Sequence, residues 1–363
     1  MILHYYLARR FFWSVLGVAA VLAVVLALID LVDELNDYPH LPFARVLGVV
    51  ALKMPEANYE ILPLVMVLAS AALFLRLSRS SELVVLRASG RSAIRGLVAP
   101  AVVALGIGLV GLAMGNPIVA ATAKRYHDLV NTLDGRGSAI LAIASEGLWL
   151  RQGGDGGQTV IFAARASSDL AVLFEPNFVD FAPGGQPLRR ISAAAARLGD
   201  GAWELSDVKI WDLSKGVNSE ATAKRLASLS IPSELTRDRI VDSFGKPIYI
   251  PIWDLPRFIT QLEQAGFSAR RYAIWFQTQL ASPVFLVALV LSSAAFTMGH
   301  ARGRNTGLSV LTAVLLGFGL HYVRNFALIL GENGQIPILL AAWAPPVAAL
   351  LLAIGILLHL EDG

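Results

Sequence analysis

The sequence predicts an α-helical membrane protein with six transmembrane helices and an inserted all-β, jellyroll-like domain. Three observations predict it. The chain of 363 residues is 55% hydrophobic and only 16% charged, with a mean hydropathy of +0.60, whereas soluble domains average about 45–50% apolar and about 25% charged residues. Six long stretches are nearly free of charge, and a polar middle region between the third and fourth has the texture of short strands. The formal net charge of +3 is too small to argue for nucleic acid, and the absence of cysteine excludes disulfides and thiolate metal ligands. The six histidines, at 4, 40, 127, 300, 321 and 359, are scattered without ligand spacing.

A crossing of the hydrocarbon core takes about 20 apolar residues. The first candidate, Phe11–Ile29, carries no charge. It is longer than a signal-peptide core and lacks a small-residue cleavage site, so a retained span is expected. The second, Ile61–Leu75, is shorter and extends back through Ala44–Met54, with Pro55 and Pro63 as expected kinks. Gly96–Ala123 is the third; Tyr272–Gly299, Thr306–Leu320 and Ile336–Leu358 complete a three-plus-three arrangement. This gives expected boundaries of 1–132 for the first half, 133–250 for the insertion and 251–363 for the second half. Arginines gather in alternate segments: Arg9 and Arg10; Arg76, Arg79, Arg87, Arg91 and Arg95; Arg302 and Arg304. The opposite loops read Asp30, Asp33, Glu34 and Asp37, then Glu332. Positive charge marks the cytoplasmic side, so both termini are expected there and the insertion outside.

Within the insertion, Ile140–Arg151, Thr159–Ala166, Ala171–Phe181, Arg189–Leu198, Trp203–Leu213 and Leu226–Ile231 are partly alternating runs. Turn-formers separate them at Gly153–Gly157, Pro183–Gly185 and Gly199–Gly201. That spacing reads as an all-β sandwich or barrel, with Trp203 and Trp211 as core residues. A polar helical stretch with Leu255, Phe258, Ile259 and Leu262 leads to the fourth span.

Two motifs bear on chemistry. Gly106, Gly108 and Gly111 match a dinucleotide fingerprint, but that motif needs a strand before it and an acid after it. Inside an uninterrupted apolar stretch, with Gly111 and Gly115 adding a GxxxG, the glycines instead suit close helix packing. No Walker A, HExxH or GxSxG sequence is present. In the arginine-bearing loop between spans two and three, Ser80 or Ser81 offers an N-cap and Gly90 a C-cap. Leu83, Val84, Leu86 and Arg87 between them place apolar and charged groups at helical intervals. Such a helix either lies on the bilayer surface or docks into a groove of a cytoplasmic ATPase.

The segment Ser81-Glu82-Leu83-Val84-Val85-Leu86-Arg87-Ala88-Ser89-Gly90 resembles the coupling helix of the lipopolysaccharide export permeases of the LptF/LptG family. Ile29–Leu35, Met54–Glu56 with Ile61–Pro63, and Asp254–Gly266 followed by Arg271, Tyr272 and Trp275 resemble that family too, so the likeness runs the whole length. Val32-Asp33 and the Asp254–Gly266 segment lean toward the LptG branch. The resemblance implies an LptF–LptG heterodimer driven by an LptB-type ATPase dimer, with an LptC-type membrane-anchored periplasmic protein and lipopolysaccharide as substrate. ATP and magnesium would then sit on the ATPase, with no cofactor in this chain. Glu82, Leu83, Val84, Leu86, Arg87, Ser89 and Gly90 become the ATPase-coupling residues, with Glu82 reaching a basic residue of the motor and the apolar three filling its groove.

A substrate with anionic phosphates above its acyl chains calls for cations near the outer boundary and apolar walls beneath. By depth the candidates are Lys53 and Arg45 on span two, and Arg324 and His321 on span five. Glu56 and Glu60 near Lys53 offer mutual neutralisation as the competing reading. Relatives place lysines at the outer end of span one, where this chain has Asp30, Asn36 and Asp37. Two other classes stay open: an ion-coupled secondary transporter, which would need midplane charges and broken helices, and a structural protein tethering a β-domain.

Overall fold

The structure is a computed structural model that describes residues 2–80, 82, 93–133, 142–144, 147–154, 157–163, 165–166, 172–199, 201–214, 220, 223–233, 245–264, 268–298 and 306–362. Its helices are α1 (Ile2–Asp37), α2 (Phe43–Glu60), α3 (Leu62–Arg79), α4 (Ala93–Val110), α5 (Asn116–Leu133), α6 (Leu255–Gln264), α7 (Arg270–Thr297), α8 (Thr306–Glu332) and α9 (Ile338–Asp362). Six are long and apolar enough to cross a membrane: α1, α3, the continuous α4–α5 helix, α7, α8 and α9. Span two starts with a break. α2 runs through Pro55, and the chain turns at Ile61, so that Pro63 falls in the first turn of α3, where its missing N–H is harmless.

The chain forms two compact units. The helical unit comprises residues 1–127, 248–253 and 273–363; the other comprises 128–247 and 254–272 and so takes α6 with the strands, across the 251 boundary drawn from the sequence.

In the helical unit α7 is central, with 72% of its apolar window buried, against 11% for α1 and 17% for α8. Phe11 and Val15 of α1, Met66, Leu73 and Phe74 of α3, Leu97 of α4 and Leu286 and Val290 of α7 share one apolar cluster. Serines fasten α3 to α7 in both directions: Ser70 Oγ donates to the Val290 carbonyl and Ser293 Oγ to the Val67 carbonyl, each at 2.9 Å. A third, Ser14 Oγ of α1, donates to the Ala69 carbonyl at 3.0 Å. Hydrogen bonds between helices take over part of the role that hydrophobic burial has in water.

The glycine motif of span three resolves into two roles. A Cβ on Gly108 would sit 2.7 Å from the Pro283 Cα of α7, whereas Gly106 faces open space. Gly111–Gly115 is a π-helical turn joining α4 to α5, and its two glycines accept the flat ring of Tyr59 rather than another helix backbone. Gly108→Val is therefore expected to destabilise the detergent-solubilised protein by about 1–3 kcal/mol through overpacking. Gly106→Val should stay within about 0.5 kcal/mol. Paired thermal melts check the difference.

The second unit is a ten-stranded antiparallel sheet: β1 (Ala142–Ala144), β2 (Gly147–Gly154), β3 (Gly157–Ala163), β4 (Arg165–Ala166), β5 (Val172–Phe174), β6 (Asn177–Phe181), β7 (Pro187–Ser192), β8 (Ala195–Gly199), β9 (Ala202–Asp212) and β10 (Lys224–Pro232). The order is β1-β2-β3-β6-β7-β9-β8-β5-β4, with β10 on the other edge of β9. Three of the runs read from the sequence each hold two strands that keep one register with a neighbouring run across the gap between them, the one shift falling between Asp180 and Phe181. β5 and β6 pair with β8 and β7, and β4 and β3 pair with β5 and β6. The gaps between β5 and β6 at Glu175–Pro176 and between β7 and β8 at Ala193–Ala194 line up, so the sheet curls along one line. Glu175 and Asp207 take left-handed φ values of 51° and 49° there. After Trp203 and Leu205, the left-handed backbone at Asp207 shifts the buried alternation on β9 to Val208 without changing its register with β8 or β10. Gly185 and Gly201, with φ of 80° and 79°, close turns at two of the expected places.

Trp203 is fully buried against Phe178, with Ile161, Leu173 and Ile191 also in the core. Trp211 corrects the expectation for the pair. It lies only half-buried on the sheet surface, with Arg190 and Lys209 against its ring and its Nε1 donating to Glu220 at 2.7 Å. Bonds from Lys209 and Trp211 hold the Glu220 carboxyl below its ordinary range.

Candidate functional site

Of the coupling segment, only Glu82 falls within the described residues; Leu83, Val84, Leu86, Arg87, Ser89 and Gly90 lie outside them. Glu82 lies three residues beyond the end of α3, whose last turn carries Arg76 and Arg79. Both carboxylate oxygens are taken up inside the chain. Arg10 Nη1 donates to the two of them at 2.9 and 3.0 Å, Tyr6 Oη to Oε2 at 2.9 Å, and Ser80 Oγ lies 2.9 Å from Oε1. Arg10 also stacks its guanidinium 4.6 Å from the Tyr6 ring centre. Partial burial pushes the Glu82 carboxyl up, but the bonds from Arg10, Tyr6 and Ser80 outweigh it and hold it below the usual carboxylate range. The residue expected to reach an ATPase is here bound to span one.

At the opposite end of span one, Asp30 and Glu34 stand one turn apart on α1 and are buried. Lys53 of α2 lies 2.9 Å from Asp30 Oδ1 and 3.7 Å from Glu34 Oε1. Tyr126 Oη of α5 donates to Glu34 Oε1 at 2.8 Å. Lys53 is thus neutralised by carboxylates of another helix. The i,i+4 spacing of Asp30 and Glu34 in an apolar helix was the available signal for this cluster, and Tyr126 had none.

The remaining candidates separate. Arg45 is exposed, without an ion pair among the described residues. His321 and Arg324 sit on α8 within one turn of each other; Asn325 Nδ2 lies 3.1 Å from His321 Nε2. The Arg324 guanidinium lies over the Phe285 ring at 4.9 Å, and its buried Nε finds no hydrogen-bond partner among the described residues. An arginine within a span, with no carboxylate in ion-pair range among those residues, is costly in hydrocarbon, and such groups mark sites of function. Nearby, Tyr59 Oη donates to Gln279 Oε1 at 2.7 Å, tying α2 to α7.

Six spans and a curled β-sheet inserted between their two halves define a polytopic membrane protein with an inserted β-unit. The chain belongs to the family of lipopolysaccharide export system permeases LptF/LptG, whose model matches residues 5–359. It is 21% identical to the lipopolysaccharide export system permease protein LptG of Escherichia coli K12, over 99% of this chain and 98% of that protein. It is 23% identical to the LptG protein of Haemophilus influenzae, over 78% of this chain and 76% of that one. The family is one of transport subunits, and the chain is a multi-pass inner-membrane protein.

Proposed function

We propose that this chain is the LptG-type subunit of an exporter that lifts lipopolysaccharide from the outer leaflet of the inner membrane and passes it to a periplasmic bridge. The observation that carries this is the family match along essentially the whole chain, both helical halves and the inserted sheet included. An LptF-type permease completes the membrane dimer, an LptB-type ATPase dimer supplies the work, and an LptC-type protein joins the periplasmic side. On this reading both termini are cytoplasmic and the β-domain is periplasmic, in keeping with the arginine distribution. The low coverage of α1 and α8 suits two spans that meet a partner subunit or substrate.

Cations on α2 and α8 receive the substrate phosphates. Arg324 is the strongest of these, because it is buried without a counter-charge among the described residues. Lys53 becomes available only when a phosphate displaces Asp30 and Glu34. Arg324→Glu is expected to lower export about tenfold, a loss of about 1.4 kcal/mol, while leaving the complex assembled. Photocrosslinking from position 30 reports the substrate directly.

The decisive experiment is gentle purification of the full chain and identification of what comes with it. A co-purifying ATPase stimulated by lipopolysaccharide supports the proposal. A solitary chain whose transport follows the proton gradient would identify a secondary transporter, and a stable complex lacking any ATPase a structural role. A second permease subunit that matches the LptG branch better than this chain would assign this one to the LptF side.

A further inference from the structure

Beside the Arg10–Glu82 pair, the ends of α1 and α3 form a groove of about 450 Å³. Arg9 and Arg10 of α1 and Arg76 of α3 line it, with Tyr6, Trp13 and Leu73. Neither Arg9 nor Arg76 has a carboxylate in ion-pair range among the described residues, and Glu82 offsets only Arg10. Three guanidinium groups against one carboxylate leave the groove with a surplus of two positive charges.

We propose that this groove binds the phosphate of an anionic glycerophospholipid from the arginine-side leaflet, with an acyl chain running along α1. Charge complementarity selects the anion, and the position selects the lipid. The arginines lie at the ends of two spans, at headgroup depth, where basic grooves between helices recruit anionic lipids. Trp13 is 62% exposed and Tyr6 38%, and exposed aromatic rings at this level favour the membrane–water boundary. Leu73 continues the groove into the apolar flank of α3. A small soluble phosphate would use the guanidinium groups and leave that apolar wall and the Trp13 face idle. The site lies at the opposite end of α1 from Asp30 and Glu34, so it is separate from the proposed substrate cations, and it depends on membrane insertion alone, not on the transport reading.

The test uses the full chain, purified with whatever partners it retains and placed in nanodiscs of phosphatidylcholine doped with phosphatidylglycerol. Native mass spectrometry reads the lipid kept after release. Phosphatidylglycerol is expected to be retained over phosphatidylcholine. Arg9→Gln and Arg76→Gln should each weaken that retention about fivefold, and the two together roughly twenty-five-fold, at about one basic residue's attraction apiece. The K224Q/R225Q variant removes the same charge from exposed positions on β10 and should retain lipid as the parent does. Equal retention in R9Q/R76Q and parent overturns the site. Displacement of the lipid by excess inorganic phosphate, or by an acidic peptide with no lipid selectivity in the parent, also overturns it, in favour of a free anion or a protein partner.

Discussion

Arg10→Glu and Glu82→Arg should each cut the lipopolysaccharide exported per ATP hydrolysed about tenfold, and the exchange R10E/E82R should recover most of it. The expectation follows from where the Glu82 carboxylate goes: two contacts to Arg10, one to Tyr6 and one to Ser80 use both oxygens. Single reversal sets like charges against each other at a point where the loop proposed to couple to the ATPase is fastened to span one, and the exchange restores the attraction with its polarity inverted. A Glu82 that reached the ATPase directly would behave differently, because the exchanged pair would present an arginine to a basic residue of the motor and stay as defective as Glu82→Arg alone. The amount of ATPase that co-purifies separates faulty coupling from lost assembly. Each side chain is about a third exposed, so the pair itself is worth about 1 kcal/mol or less; the large effect is on coupling, not on folding. Because the carboxyl is held below its ordinary value in the folded chain, the pair's contribution is complete above the unfolded carboxylate pKa. It is lost as pH falls through the lowered folded value, so coupling should hold through neutral and mildly acidic conditions. Glu82→Gln should remove that acid limb.

Trp203→Ala is expected to be the most damaging change in the β-unit. The side chain is fully buried against Phe178, and truncating such a residue costs about 3–5 kcal/mol, a large share of the about 5–15 kcal/mol that stabilises a typical domain. Its Nε1 finds no hydrogen-bond partner among the described residues. Trp203→Phe therefore gives up volume but no hydrogen bond and should cost less than about 1.5 kcal/mol. Trp211→Ala removes ring contacts with Arg190 and Lys209, worth about 1 kcal/mol at an exposed site, and a bond to exposed Glu220. Hydrogen exchange across β6 and β9 in the full chain orders the three variants. Equal protection in Trp203→Ala and Trp211→Ala would contradict the burial of Trp203.

That pair of tryptophans shows what the residues alone could and could not convey. Both lie on β9 with similar neighbours in sequence, and only the left-handed residue Asp207, which shifts the alternation by one, sends Trp211 outward. Spans were legible because hydrocarbon demands long uncharged runs, and the turns at Ile61, just ahead of Pro63, and at Gly185 because proline and glycine restrict or release the backbone. Gly108 could be read as a packing glycine, but its partner Pro283 could not. The same limit applies to Lys53. Its nearest acids in sequence are Glu56 and Glu60, while its ion pairs come from Asp30 and Glu34, about twenty residues away and on another helix. The Glu82 contacts with Tyr6 and Arg10 cross more than seventy residues, beyond the reach of any local pattern.

The two-way serine fastening of α3 has a mechanical consequence. From Leu62 to Arg79 the helix is anchored to α7 by Ser70 and Ser293, and Val67 packs so close to Gly317 of α8 that an added Cβ there would meet it at 2.8 Å. Such a helix resists bending along its length, whereas the chain just before it is jointed at Ile61. Under the proposed coupling, a push delivered at residue 80 would tilt α3 as one stiff lever about its serine contacts, and the turn at Ile61 is the nearest interruption of the helix that could take up the tilt.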